Sequence, residues 1–169
     1  MSPASSKFAM VTLVAVAATA AMVACTGGET SLDGCSVPTA TELADLSKDA
    51  AVVTQARFRS EANLTDGTTT TTGLIVVPIA ALHGAAAVGE EVAVWPTQAE
   101  GTPTAGEQLV LFLRAHGAPT RAAGQSTPAY DITRAGAVLV ESDTGVQRLC
   151  RYGRSRSVDR TLLDELRRQ

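Results

Sequence analysis

The chain has 169 residues, of which 45% are apolar, 18% charged and 4% aromatic, and its 14 basic and 17 acidic residues give a net charge of −3. That is the size of one ordinary domain, apolar enough to bury a core of Val, Leu, Ala and Ile, which excludes a multidomain machine, a polytopic membrane protein and a disordered tail. Removing the leader described next, with its one Lys, takes the charge to −4 and argues against nucleic acid as the main partner.

The chain opens with Lys7, no acid, and an uncharged apolar run from Phe8 to Ala24. This is the layout of a secretory signal peptide, residues 1–24, and at 17 residues the run is at the lower edge of what spans a bilayer core of roughly 30 Å. It ends in Met22, Val23, Ala24 and Cys25, followed by Thr26, Gly27, Gly28 and Glu29. That order resembles the lipobox of bacterial lipoproteins, an apolar residue, two small ones and a Cys. The resemblance implies cleavage between Ala24 and Cys25, diacylglycerol on the Cys25 sulfur, and a mature protein held by lipid on the extracytoplasmic face of the cell membrane. Buried acyl CH₂ groups contribute about 0.8 kcal/mol each, and two chains suffice for stable anchoring. The competing reading is an ordinary secretory leader cut near Ala24, or an uncleaved anchor, with Cys25 a plain thiol. With Cys25 acylated, Cys35 and Cys150 form an even pair in an oxidising compartment, and a disulfide between them is expected. Closing a loop of that length contributes an upper estimate of about 4 to 5 kcal/mol. Two unrelated thiols are the alternative. There is no CxxC pair for zinc, and no metal or cofactor is expected.

Residues 25–38 are rich in Gly, Ser and Thr and lack apolar periodicity, as in a flexible spacer. The domain is expected over residues 39–169. Thr39 with Glu42 three residues on is a capping-box pattern opening a short helix through Leu43 and Leu46. From Val52 the period changes to two: Val52, Thr54, Ala56 and Phe58 fall on one face, and Gln55, Arg57 and Arg59 on the other. A turn at Thr65-Asp66-Gly67 leads into Thr68 to Leu82, where Pro78 marks an edge or a bulge. The Thr68 to Thr72 run reads as β-prone edge sequence, with O-linked sugar as the second reading. EEVAVWP is a third strand with Val92 and Val94 on one side. After a long polar loop, Leu109 to Leu113 are all apolar and read as a central strand covered on both faces. A Gly/Pro-rich loop from Gly117 to Pro128 precedes Ala129 to Ile132. AVLVES and GVQRLCRY flank a hairpin turn at Asp143-Thr144-Gly145. Ser157 is placed to cap a final helix with an apolar stripe of Val158, Leu162, Leu163 and Leu166.

Six or seven short strands without intervening helices predict a mainly β fold, a small barrel or sandwich of about five to seven antiparallel strands with a short helix at each end. The segments DLSKDAAVVTQARF, TGLIVVPIAALHG, VGEEVAVWP, AGEQLVLFLRA and PAYDIT follow the order of small exported bacterial proteins. Over about residues 43–140 the chain thus resembles domains built on an OB-like or netrin-module-like barrel. The resemblance implies turn roles for Gly89 and Gly106 and core roles for Leu109, Leu111 and Leu113. It implies nothing catalytic.

The chain has no GxSxG, GxGxxG or GxxxxGK[ST]. Glu90 and Glu91 are strand neighbours that point to opposite faces and cannot share a proton. His83 and His116 read as surface residues beside turns. From Cys25 to Gln147 there are 14 acids against six bases, whereas Arg148 to Gln169 hold seven Arg and three acids. Arg148, Arg151, Arg154 and Arg156 therefore either meet anionic lipid or wall polymer or complement the acidic body. The functional expectation is a lipid-anchored envelope module without catalysis, binding an envelope protein or polymer through a barrel face and its loops, with Trp95, Tyr130 and Arg57 as contact candidates. An inhibitor using a free N-terminal Cys is the alternative, which acylation of Cys25 would block. An envelope enzyme is a third reading for which no motif speaks.

Overall fold

The structure is a computed structural model that describes residues 35–97, 101–134 and 137–168; the leader, Ala24 and Cys25 lie outside them. Cys35, the first described residue, is buried, 2% exposed. The Thr39 hydroxyl accepts the Glu42 N–H at 3.3 Å and opens α1 (Ala40–Asp49), whose Leu43 and Leu46 enter the core. Only half of the capping box forms, because the Glu42 carboxylate turns away to Arg148.

A long hairpin follows, β1 (Val52–Thr65) and β2 (Thr70–His83). In the first half of β1 the period-two faces are those expected: Val52, Thr54, Ala56 and Phe58 are buried, and Arg57 and Arg59 are exposed. The register then shifts between Phe58 and Ser60, leaving Arg59 as an extra residue. A bulge of one residue moves every later side chain to the opposite side of the sheet. Phe58 therefore joins the main core, while Ala62 and Leu64 join a second, smaller one with Ile75, Ala93, Trp95 and Ala122. A second shift, between Gln55 and Ala56, places the bulge that Pro78 marks.

β3 (Val92–Trp95) is buried on both faces, Val92 and Val94 toward the main core and Ala93 and Trp95 toward the small one. β4 (Gln108–Ala115) is central, with Leu109 to Leu113 at most 1% exposed. One side of β4 pairs with β1; the other pairs first with β8 (Val138–Ser142) and then with β7 (Ala129–Ile132). The pairings β1–β2, β2–β3, β3–β7, β7–β4 and β4–β1 close a five-strand circuit. The β3–β7 pair is parallel, a departure from the all-antiparallel expectation. The fold is mainly β, with one helix near each end.

Ten strands form among the described residues, more than the five to seven expected. Two of them, β5 (Thr120–Ala122) and β6 (Gln125–Thr127), make a hairpin inside the Gly117–Pro128 stretch. Ala123 and Gly124 turn it with φ of 49° and 82°, as a two-residue primed turn requires. β8 and β9 (Gly145–Cys150) turn at Asp143-Thr144, and β10 (Gly153–Arg154) completes this arm. A Cβ on Gly145 would lie 2.1 Å from the Val158 carbonyl, so only glycine fits there. Val158 itself bridges to Val146, which removes it from the final helix. Accordingly α2 is only Thr161–Leu166, begins at Arg160 and not at Ser157, and buries Leu163 and Leu166.

Candidate functional site

Trp95 ends β3 with its ring in the small core, 9% exposed, and its Nε1–H donates to Thr120 Oγ1 at 3.1 Å. The ring stacks on His116, with centroids 4.6 Å apart and planes 6° apart. His116 follows β4, and its side chain is 12% exposed, not the surface residue its place before Gly117 suggested. Its Nδ1 lies 2.8 Å from Asp131 Oδ1, and its Nε2 lies 3.7 Å from Asp66 Oδ2. Nε2 is buried and has no hydrogen-bond partner. Asp131 also meets Arg114 at 3.8 Å. The other oxygen of Asp66 accepts the Thr69 N–H at 3.0 Å and so fixes the turn between β1 and β2. Four segments, the end of β4, the β1–β2 turn, β7 and β3, thus place an imidazole between two carboxylates and against an indole. No local pattern announces this, because β4, β7 and the β1–β2 turn are joined only by the barrel's closure.

A groove of about 630 Å³ is lined by Glu61, Asn63, Thr65, Arg121, Ala123 and Gly124. The groove runs over the β1–β5 pair, where Thr65 stands opposite Arg121, and Arg121 is exposed while its strand neighbours Thr120 and Ala122 are buried. A second groove, about 290 Å³, is lined by Arg57, Arg59, Val77, Ile79, Gly89 and Glu91. There Arg59 meets Glu91 at 3.8 Å, and Ile79 is 39% exposed. Among the described residues Arg57 and Arg121 have neither an ion pair nor a side-chain hydrogen bond, and each lines one of the grooves.

The three contact candidates are not one site. Trp95 is committed to the small core, and Tyr130, on the neighbouring strand β7, packs half-buried against the main core. Arg57 is exposed in its own groove.

Cys35 and Cys150 form the disulfide, 115 residues apart in the chain with Cα atoms 5.9 Å apart. Next to it the Arg148 side chain, 10% exposed, donates to Ser36 Oγ at 3.1 Å and pairs with Glu42, while its N–H donates to Ser155 Oγ at 2.8 Å. Arg154 meets Glu107 through two contacts of 2.7 and 2.9 Å, Arg160 pairs with the buried Glu141, and Arg167 meets Asp164 at 2.6 Å. Arg151 lies over the Tyr152 ring at 5.2 Å. The basic tail therefore mostly complements the chain's own acids.

Among the described residues no group of three His, Cys, Asp or Glu is arranged for a metal ion. Comparison with protein-family models, curated proteins and solved structures gives no match.

Proposed function

We propose that the protein is a lipid-anchored module of the cell envelope that binds a partner without catalysis. The observation that carries this reading is the apolar run closing in Met22-Val23-Ala24-Cys25, in a chain whose other two cysteines are joined to each other. Disulfides persist in oxidising compartments, so the bonded pair supports export, and a single cysteine remains for acylation. The barrel supports the binding half of the proposal: OB-like barrels present ligands with a face and the connecting loops, and both grooves lie on the β1–β2 hairpin. A guanidinium without a carboxylate partner on an acidic body is a ready point of contact for an anionic group. Arg57 and Arg121 take that role here, and Trp95 and Tyr130 serve packing.

The test is capture from detergent-solubilised envelope by the wild-type protein, Arg57→Glu and Arg121→Glu. A partner held by the wild type and lost with one of the variants supports binding and identifies the groove. Identical capture by all three contradicts it.

A further inference from the structure

We infer that the groove at Arg57 receives an extended peptide segment of a partner protein, one that presents an apolar side chain beside a carboxylate. This deepens the binding half of the proposal above and rests on it. The groove lies on the outer face of the five-strand circuit, where Arg57 stands opposite Val77 on one neighbouring strand and Gln108 on the other. Two bulges shape it. Phe58 and Ser60 pair with the consecutive residues Val76 and Ile75, so Arg59 has no partner across the ladder; Gln55 and Ala56 pair with Ala80 and Pro78, so Ile79 has none. An extra residue in a strand re-aims a side chain. Both extra residues, one from each strand of the hairpin, line this groove, with the Arg57–Val77 rung between them.

Three large apolar side chains are exposed among the described residues, Ile79, Val88 and Tyr152. The first two belong to this groove: Gly89, which follows Val88, donates its N–H to the Pro78 carbonyl at 2.9 Å and so fastens the turn beside Ile79. An exposed apolar patch rimmed by charge marks an interaction site. The carboxylates around it are already committed. Glu91 pairs with Arg59 at 3.8 Å, Glu107 pairs with Arg154, and Glu141, opposite Gln108 on β8, accepts from Gln55 and pairs with Arg160. Arg57 is left with a free guanidinium at the edge of an apolar floor, where it lacks only an anion. At about 290 Å³ the groove is at the lower end of pocket sizes, which run from roughly 300 to 1,000 Å³, and suits single side chains of a segment laid across it. A wall polymer fits less well. Sugar hydroxyls find no hydrogen-bonding group on Val77 and Ile79, no aromatic ring lines the groove, and Glu91 with its neighbour Glu90 repels a chain of repeated anions.

The probe is an array of short Ser/Gly peptides in which two adjacent positions run through all pairs of natural residues, read with the full chain as wild type, Arg57→Glu, Ile79→Ser and Arg121→Glu. All three substituted side chains are exposed, so the variants fold. The wild type is expected to prefer pairs of Leu, Ile or Val with Asp or Glu, by about three- to tenfold over the same pairs with Asn or Gln. Arg57→Glu moves the preference from acids to Lys and Arg, Ile79→Ser loses the apolar preference and keeps the acidic one, and Arg121→Glu changes neither. The preferred peptide, titrated into the ¹⁵N-labelled chain, shifts the amides of Val77, Ile79 and Gly89. No apolar–acidic preference, a preference that survives Arg57→Glu, or equal displacement of the peptide by polygalacturonate overturns the inference. A preference lost only in Arg121→Glu, with shifts at Thr65 and Arg121, also overturns it while leaving the binding reading in place; that reading itself falls by identical envelope capture in all variants.

Discussion

Ala123 is the one non-glycine residue with positive φ among those described, at 49°, in the turn that carries the groove wall at Arg121. An L side chain in the left-handed region costs roughly 1–2 kcal/mol, and Asn followed by Gly is the pair this turn type prefers. Ala123→Asn is therefore expected to stabilise the protein by about 1 kcal/mol. The check is thermal unfolding, with Tm rising by about 3–5 °C. At this scale the sequence was a mixed guide. Thr39 as a cap, Asp66-Gly67 as a turn and the Cys35–Cys150 pair follow from local chemistry or from simple counting, and the structure contains all three. His116 and Arg148 were illegible because their partners lie in distant segments: Asp66 and Asp131 for one, Ser36 and Glu42 for the other. A histidine before a glycine carries no mark of two carboxylates that only a closed barrel brings to it.

The β1–β2 hairpin is the element that creates two cores from one ribbon. Alternation is readable up to Arg59 and then fails, because the extra residue there switches the apolar face to the other side of the sheet. A strand predicted by its period thus stops at its own bulge, although pairing continues to Thr65. Gly73 sits where the second core is tightest: a Cβ there would lie 2.2 Å from Leu64 Cδ1 and 2.8 Å from the Val94 carbonyl. The side chain could swing aside, but the carbonyl belongs to β3 and is held by the ladder. Gly73→Ala is expected to destabilise the fold by about 2 kcal/mol, the cost of overpacking. Urea unfolding should show a lower midpoint at an unchanged slope, and an unchanged midpoint would mean that β3 yields. The β5–β6 hairpin escaped sequence reading for a different reason. Its three-residue strands are too short for periodicity, and Ala-Gly in place of Asn-Gly hides the turn.

For the whole molecule, the mainly β class was legible in the succession of short apolar runs, and the apolar run of β4 lies at the centre of the circuit. Charge is divided as the composition foretold, an acidic body and an Arg-rich tail, but three of the tail's seven Arg are held in pairs with Glu42, Glu107 and Glu141 of the body. Cys35 and Ser36, ahead of α1, are tied to β9 by the disulfide and by Arg148.

The claim on which the account depends is that this body is exported and fastened by lipid at Cys25. Intact mass of the protein extracted from membranes tests it most directly. The account predicts a chain beginning at Cys25, heavier by diacylglycerol, and lighter by two protons through the Cys35–Cys150 bond. A chain that retains Met1, or one that begins near Ala24 with an unmodified Cys25, would contradict it.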